Sequence, residues 1–301
     1  MTVLEPAISD WLETRSPDWF GEVPEVDRVI DGFYGQVCIV RLASGTLRVV
    51  KRFRIAGFAR HEARAMQALR AATPAAIAVP RLLHFETAAE HGWDAFVMDF
   101  VAGVNASETP AEFADALAAD IVALQRHWHA QTADAFENID GSHHASFAAS
   151  YHAYLQGRRA FLEGAGGFDA GLKARLLATL DHADTLLAPL AGDPPAFIHD
   201  DGHAGNYLVD PQTWRLVAVI DPAGARFAHR ELDLFHLPDA RPDLGLLARY
   251  LDQVPPADGW PARRWLFSLW DDIKHAEFTG WRDDAWFERK LAAFNTEIGQ
   301  Q

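Results

Sequence analysis

The hydrophobic rhythm of this chain changes near Phe100. Before that point, apolar runs of strand length dominate. Gln36 to Leu42 and Thr46 to Arg52 are β-rich runs separated by Ala43-Ser44-Gly45, and three turn residues with a glycine between such runs predict a hairpin. Arg81 to Glu86 and Trp93 to Phe100 read as two more strands. Phe58, Ala65, Met66 and Leu69 recur near helical spacing, which predicts a helix over Phe58 to Leu69. Leu4 to Trp19 reads as a short amphipathic leader helix. After the small and polar connector Val101 to Pro110, the period lengthens. Phe113, Leu117, Ile121, Leu124 and Trp128 form a long helical stripe. Further helices are expected over Phe147 to Leu162, Leu172 to Leu190, Leu244 to Leu251, Arg263 to Phe278 and Asp284 to Ile298, with short strands and loops between Phe197 and Ile220. The pattern predicts an α+β chain of two lobes: a small β-rich lobe over residues 1–99 and a large, mainly helical lobe over 100–301.

Composition narrows the class. The 301 residues are 49% hydrophobic and 23% charged, ordinary values for a globular chain. No apolar run approaches the roughly 18 residues of a membrane span, so no membrane partner is expected. Glu5, Asp10 and Glu13 make the first twenty residues unlike a signal peptide. One cysteine, Cys38, excludes an intrachain disulfide and a cysteine-cluster metal site, and a reducing cytoplasm is the expected location. The net charge of −15 argues against nucleic-acid partners and suits a cationic substrate, although solubility alone also explains it.

The chemistry concentrates in His199-Asp200-Asp201-Gly202-His203-Ala204-Gly205-Asn206, with Asp221 following the apolar run Leu216 to Ile220. Phosphoryl transfer needs a group to orient the attacking hydroxyl, ligands for Mg²⁺ and a cation for the phosphates. Asp201 is the candidate for the first, Asn206 and Asp221 for the second, and Lys51 for the third. Glu62, eleven residues past Lys51 in the next helix, is its candidate partner, and strand alternation sends Arg52 to the opposite face. Gly32 and Gly35, before the first hairpin strand, would let backbone N–H groups approach phosphate. His199 is expected to tie the loop to backbone carbonyls. Another reading takes His199, Asp201 and His203 as a metal-hydrolase ligand set with Asp221 bridging, but leaves Asn206, Lys51 and Glu62 without a role. Gly166 to Lys173 looks like a phosphate loop, yet Leu172 stands where lysine is required.

These residues resemble the His-Gly-Asp-x-His-x-Gly-Asn motif of the aminoglycoside and choline phosphotransferase superfamily, which has a protein-kinase-like fold. Val219-Ile220-Asp221-Pro222-Ala223, His229-Arg230-Glu231-Leu232-Asp233-Leu234 and Phe136 to Ser142 resemble the fructosamine (ketosamine) kinase branch, and the likeness runs from about Ile30 to Phe278. The resemblance implies ATP and Mg²⁺ as cofactors, Asp201 as catalytic base, Asn206 and Asp221 as metal ligands, and Lys51 with Glu62 as the phosphate anchor. It implies that Asp99 to Val101 form the hinge that meets adenine and that Asp233 braces the catalytic loop. The implied acceptor is a small, sugar-derived, amine-bearing molecule. Other aminoglycoside- or choline-type acceptors, a protein Ser/Thr acceptor and a non-catalytic nucleotide-binding role stand as alternatives. Asp200 departs from the motif's glycine and is expected to add negative charge near the substrate. Trp265, Trp270, Trp281 and Trp286 are candidates for the wall of the acceptor pocket, or for core.

Overall fold

A computed structural model describes residues 3–87, 94–222 and 224–300. Five antiparallel strands form the N-terminal sheet: β1 (Glu25–Asp31), β2 (Gly35–Arg41), β3 (Leu47–Phe53), β4 (Leu82–Glu86) and β5 (Ala95–Asp99), in the order β1-β2-β3-β5-β4. The expected hairpin is β2–β3, and Gly45 at its turn has φ +81°, a conformation that glycine adopts without steric cost. β1 was not anticipated, because its pairing slips between Val26 and Arg28 and breaks the alternation. Trp93, which the sequence assigned to a strand, lies outside the described residues.

Both faces of this sheet are covered. On one side Ile8, Trp11 and Leu12 pack on Cys38, Val40, Val50 and Val97. The expected leader helix is two pieces, α1 (Pro6–Thr14) and α2 (Ser16–Phe20). Pro17 explains the break, since it lacks an N–H and crowds the preceding turn. On the other side lies α3 (Phe58–Ala72), whose Phe58, Met66 and Leu69 join Phe53 and Phe96 in the main core. Strand alternation therefore sends Lys51 toward α3 and Arg52 toward α1, where Arg52 meets Glu5.

The rest of the chain is mainly helical: α4 (Ala114–His129), α5 (Phe147–Gly164), α6 (Ala170–Ala178), α7 (Ala183–Leu187), α8 (Glu231–Leu234), α9 (Leu246–Leu251), α10 (Trp260–Thr279) and α11 (Asp284–Ile298). The helix expected over Leu172 to Leu190 is interrupted by a 3₁₀ turn at Thr179–His182. Short strands carry the loops of interest: β6 (Val104–Asn105), β7 (Phe136–Glu137), β8 (His143–His144), β9 (Ala196–Ile198), β10 (Tyr207–Val209), β11 (Leu216–Val219) and β12 (Arg226–Ala228). They pair as β11-β10-β6, β12-β9 and β7-β8.

A buried ion pair fixes α8 against α10. The Arg263 guanidinium donates to Glu231 at 2.5 and 2.8 Å, and also to the carbonyls of Leu186, Ala257 and Asp258. Both side chains are fully buried. With every donor and acceptor satisfied, the pair serves position more than net stability, but removing one partner strands a buried charge. Arg263→Met should therefore destabilise the protein by about 3–5 kcal/mol, read from the urea midpoint; an unchanged midpoint would contradict this role.

Candidate active site

The Lys51 ammonium donates to both carboxylate oxygens of Glu62, at 2.7 and 2.8 Å, and to Asp221 Oδ1 at 2.6 Å. Lys51 arrives on β3, Glu62 on the first turns of α3, and Asp221 at the end of β11, 170 residues away. Burial disfavours the lysine's charge, but Asp221 and Glu62 together outweigh it and raise its pKa. The protein around the cleft likewise opposes ionisation of Asp221, and the Lys51 ammonium reverses that and holds the carboxyl below its ordinary range. Asp221 remains 47% exposed at the open side of the pair.

The catalytic loop leaves β9 through His199 and Asp200. Asp233 accepts both of their backbone N–H groups, at 2.9 and 2.6 Å, and His129 faces the same carboxylate at 3.1 Å. His199 donates from Nε2 to the Ile220 carbonyl at 3.1 Å, tying the loop to the segment that ends in Asp221. The β10–β11 register pairs Tyr207 with Val219, and Ile220 N–H donates to the Asn206 carbonyl, so Asn206 and Asp221 emerge side by side. The Asn206 amide NH₂ donates to the Asp201 carbonyl and to Asp201 Oδ2, at 2.8 and 2.9 Å. That leaves the amide oxygen of Asn206 for another ligand. One carboxylate and one amide oxygen beside a buried ammonium suit Mg²⁺, a hard ion that takes few protein ligands and completes its shell with water and phosphate. His199, Asp201 and His203 do not form a separate metal set: among the described residues, no three His, Cys, Asp or Glu side chains gather as ligands.

Asp200 and Asp221 both have left-handed backbones, with φ of 67° and 56°. At Asp200 this supplies a physical reason for the glycine of the motif; aspartate is among the few other residues that tolerate the region. The Asp200 carboxylate lies over Gly224, where an added Cβ would fall 2.2 Å from Oδ2, and pairs with Arg226 at 2.5 Å. Asp200, expected to add negative charge near the substrate, thus has that charge paired with Arg226. Ala223 lies outside the described residues.

Two adjoining cavities open in front of this loop, each of about 410 Å³ including its mouth. Asp201, His236, Asp271, Lys274 and His275 line one, and Tyr151, Tyr154, Glu137, Ser150 and Arg226 line the other; Asp200, Ile139 and Asp271 belong to both. The turn between β1 and β2 closes over the first. Tyr34 stacks on Phe58 with centroids 4.4 Å apart, and its hydroxyl meets His275 Nδ1 at 2.6 Å. Gly32 N–H donates to the Gly35 carbonyl at 2.9 Å within this turn. Gly35 also answers a packing need, since a Cβ there would sit 1.9 Å from the Arg52 carbonyl oxygen.

The sequence matches the phosphotransferase enzyme family over residues 27–292. The chain belongs to that family. It is 34% identical over 88 residues to the uncharacterized protein YcbJ of Escherichia coli (strain K12), a match that spans 29% of this chain and 30% of that protein. Its fold resembles a candidate fructosamine-3-kinase from Thermobifida fusca YX-ER1, with TM-score 0.64, 23% identity and coverage of 94% of this chain and 97% of the other. It also resembles a thermostable mutant of aminoglycoside phosphotransferase APH(4)-Ia in complex with AMP-PNP and hygromycin B, with TM-score 0.69, 19% identity and coverage of 97% and 100%. The fold class expected from the sequence, protein-kinase-like with a β-rich N-lobe and a helical C-lobe, is the one observed. No helix of the described residues is long and apolar enough to cross a membrane.

Of the two places open to the four tryptophans, cavity wall or core, the structure gives neither to all of them. None of the four lines either cavity. Trp270 is core, donating to Thr179 at 3.0 Å; Trp286 is exposed and bonds Asp272; Trp265 packs under Arg264; Trp281 touches Phe33 and Phe287. Asp99, at the expected hinge, ends β5 with its side chain between Arg48 and Arg81, and Val101 follows at the crossing into the helical part. Sequence reasoning missed Arg226, His236, Lys274, Tyr34 and His275. Only the position of Tyr34 between Gly32 and Gly35 could have signalled its place.

Asp233 offers a test of the loop's support. Burial opposes its ionisation, but the hydrogen bond and charge of His129, with His199, hold it below the ordinary carboxylate range. A depressed folded-state pKa gives stabilisation present above the unfolded value, about 4, and lost as pH falls through the folded one. Asp233→Asn should cost roughly 1–3 kcal/mol at pH 7, and the deficit should shrink as pH drops below about 4. Urea melts at both pH values would read this, and a deficit independent of pH would refute an ionised brace.

Proposed function

We propose that this chain transfers the γ-phosphoryl group of ATP to a hydroxyl of a small, sugar-derived, amine-bearing molecule of the ketosamine type, in the cytoplasm. The observation that carries the reading is the Lys51 ammonium held between Glu62 and Asp221 at 2.6–2.8 Å, joined through the β10–β11 pairing to a loop that brings Asp201 to a cavity. A phosphoryl group in flight makes little covalent demand on protein; position and charge neutralisation do the work. Lys51 would hold the α- and β-phosphates, with Glu62 fixing its direction. Asn206 and Asp221 would hold Mg²⁺, which when bound neutralises charge on the phosphates. Asp201 would accept the hydroxyl proton or orient that hydroxyl toward phosphorus. His199 and Asp233 would keep the loop in shape, Gly32 and Gly35 would let the turn cover the phosphates, and the backbone from Asp99 to Val101 would meet the base.

The AMP-PNP complex of the APH(4)-Ia mutant supports a nucleoside triphosphate as donor, and the candidate fructosamine-3-kinase supports a ketosamine acceptor. A protein acceptor is disfavoured by the segment from Asp221 to Asp233. It contains β12, paired with β9, which leaves little chain for an activation segment. Asp201→Asn keeps the volume and the contact with Asn206 but removes the base. It should leave Mg·AMP-PNP affinity within about twofold and lower kcat by roughly 10²–10⁴-fold. Calorimetry and an ATP-consumption assay over ketosamines, aminoglycosides and choline check both halves. Wild-type turnover by this variant would remove Asp201 from the mechanism.

A further inference from the structure

The charges around the two cavities are already matched among themselves. Asp200 is paired with Arg226 at 2.5 Å. Asp271 receives the Lys274 ammonium on one oxygen and faces His275 Nε2 on the other at 3.1 Å. Glu137 accepts the Phe227 N–H at 3.2 Å. Asp201 in turn accepts the Asn206 amide N–H at 2.9 Å, so among the described residues each carboxylate that lines the cavities has a cation or an N–H partner.

What remains unsatisfied there consists mostly of hydrogen-bond donors. Lys274 has three N–H bonds, and Asp271 is its one hydrogen-bond partner among the described residues. His236 is buried, with Nδ1 3.7 Å from Asp201 Oδ1 and 3.7 Å from Asp239 Oδ2, while its Nε2 has no hydrogen-bond partner among the described residues. The Tyr151 hydroxyl, also buried, has none among them either. Burial opposes a charge on His236, yet the surrounding Asp239, Asp271 and Asp201 push its pKa up to about 9, so Nε2 carries a proton near neutral pH. Buried polar groups left unpaired cost free energy, and a ligand that pairs them gains what they forfeit. Two cationic donors beside the base fit an oxyanion, and a neutral hydroxyl beyond them fits a sugar hydroxyl.

We propose that the acceptor carries a carboxylate close to its reactive hydroxyl, held by Lys274 and His236, with Tyr151 bonding a further hydroxyl. The acceptor is then a polyhydroxylated acid, including the zwitterion formed when a sugar is joined to an amino acid. This rests on the phosphotransferase reading and narrows it: an amine is compatible with the cavity, but a polyamine without a carboxylate is not matched by it.

The test compares matched ligands by calorimetry in the presence of Mg·AMP-PNP. Fructosyl-glycine is set against its primary amide, gluconate against sorbitol, and kanamycin serves as the polycation. The carboxylate of at least one pair should bind at least tenfold tighter than its neutral partner. The gap should close in Lys274→Met and narrow in His236→Gln, the carboxylate ligand losing more affinity than its neutral partner in each variant. Lys274→Met leaves Asp271 without its lysine, so the double variant Asp271→Asn/Lys274→Met removes the pair together and keeps the test valid if the single variant fails to fold. Equal affinities within both pairs, no binding by either carboxylate, or tighter binding of kanamycin would overturn the inference. Titration of Mg·AMP-PNP alone reads the phosphotransferase reading separately: absence of nucleotide binding would defeat that reading, whereas nucleotide binding without carboxylate preference would defeat only this one.

Discussion

One buried ammonium organises the cleft. Lys51 is nearly inaccessible, and removing such a charge from water costs several kcal/mol unless it is paired at close range. Glu62, itself 1% exposed, supplies one partner and Asp221 the other. Each lies on a different element, so β3, α3 and the end of β11 must meet at one point for the charges to balance. This is a stringent condition on the fold, because displacing any of the three strands a charge in low dielectric. The asymmetry is functional. Glu62 is sealed behind the lysine, while Asp221 is half exposed, so the charge is anchored from the protein side and open toward the cleft.

The loop opposite stores strain and offsets it locally. Left-handed aspartates at 200 and 221 cost of order 1–3 kcal/mol each; Asp200 directly precedes Asp201, and Asp221 is the partner of Lys51. At Asp200 the compensation is visible. Its N–H and that of His199 converge on Asp233, its carboxylate meets Arg226, and Gly224 leaves the space this requires. Asp233 in turn stands two residues from Glu231, which Arg263 fixes to α10. A chain of paired groups thus runs from the interior of the helical part to the backbone that aims Asp201. The resemblance implied a brace at Asp233; the geometry adds what the brace is tied to.

Much of this was legible because it is local. Lys51 and Glu62 are separated by a turn and one step into a helix, so alternation and helical spacing suffice to face them. Asn206 and Asp221 flank a hairpin whose strands are visible as Tyr207 to Val209 and Leu216 to Val219. The illegible parts depend on packing over long separations. His236 and Lys274 are 38 positions apart, and neither has a hydrophobic period that reveals the side of the cavity it joins. The tryptophans were undecided between cavity wall and core for a related reason: residue type does not reveal that the position of Trp270 on α10 directs it to Thr179. At Asp200 residue type suggested added negative charge, and the arginine from β12 that pairs with it is 26 positions away.

The acidic surface and the compensated cavity act at different ranges. A net charge of −15 sets a long-range field that salt screens within about 8–10 Å. Inside that distance, among the described residues, each carboxylate that lines the cavities already has a cation or an N–H partner. The protein can therefore be strongly acidic overall and still present hydrogen-bond donors in its cavities. The same helix ties this cavity to the N-terminal sheet. α10 carries Lys274 and, next to it, His275, whose ring is bonded to Tyr34 in the turn that follows β1. The turn over the cavity and the Lys274 ammonium that lines it are linked by one peptide unit and one hydrogen bond. α10 is itself held by the buried Arg263–Glu231 pair, so the turn that places Tyr34 over the cavity is fastened through His275 to the interior of the helical part.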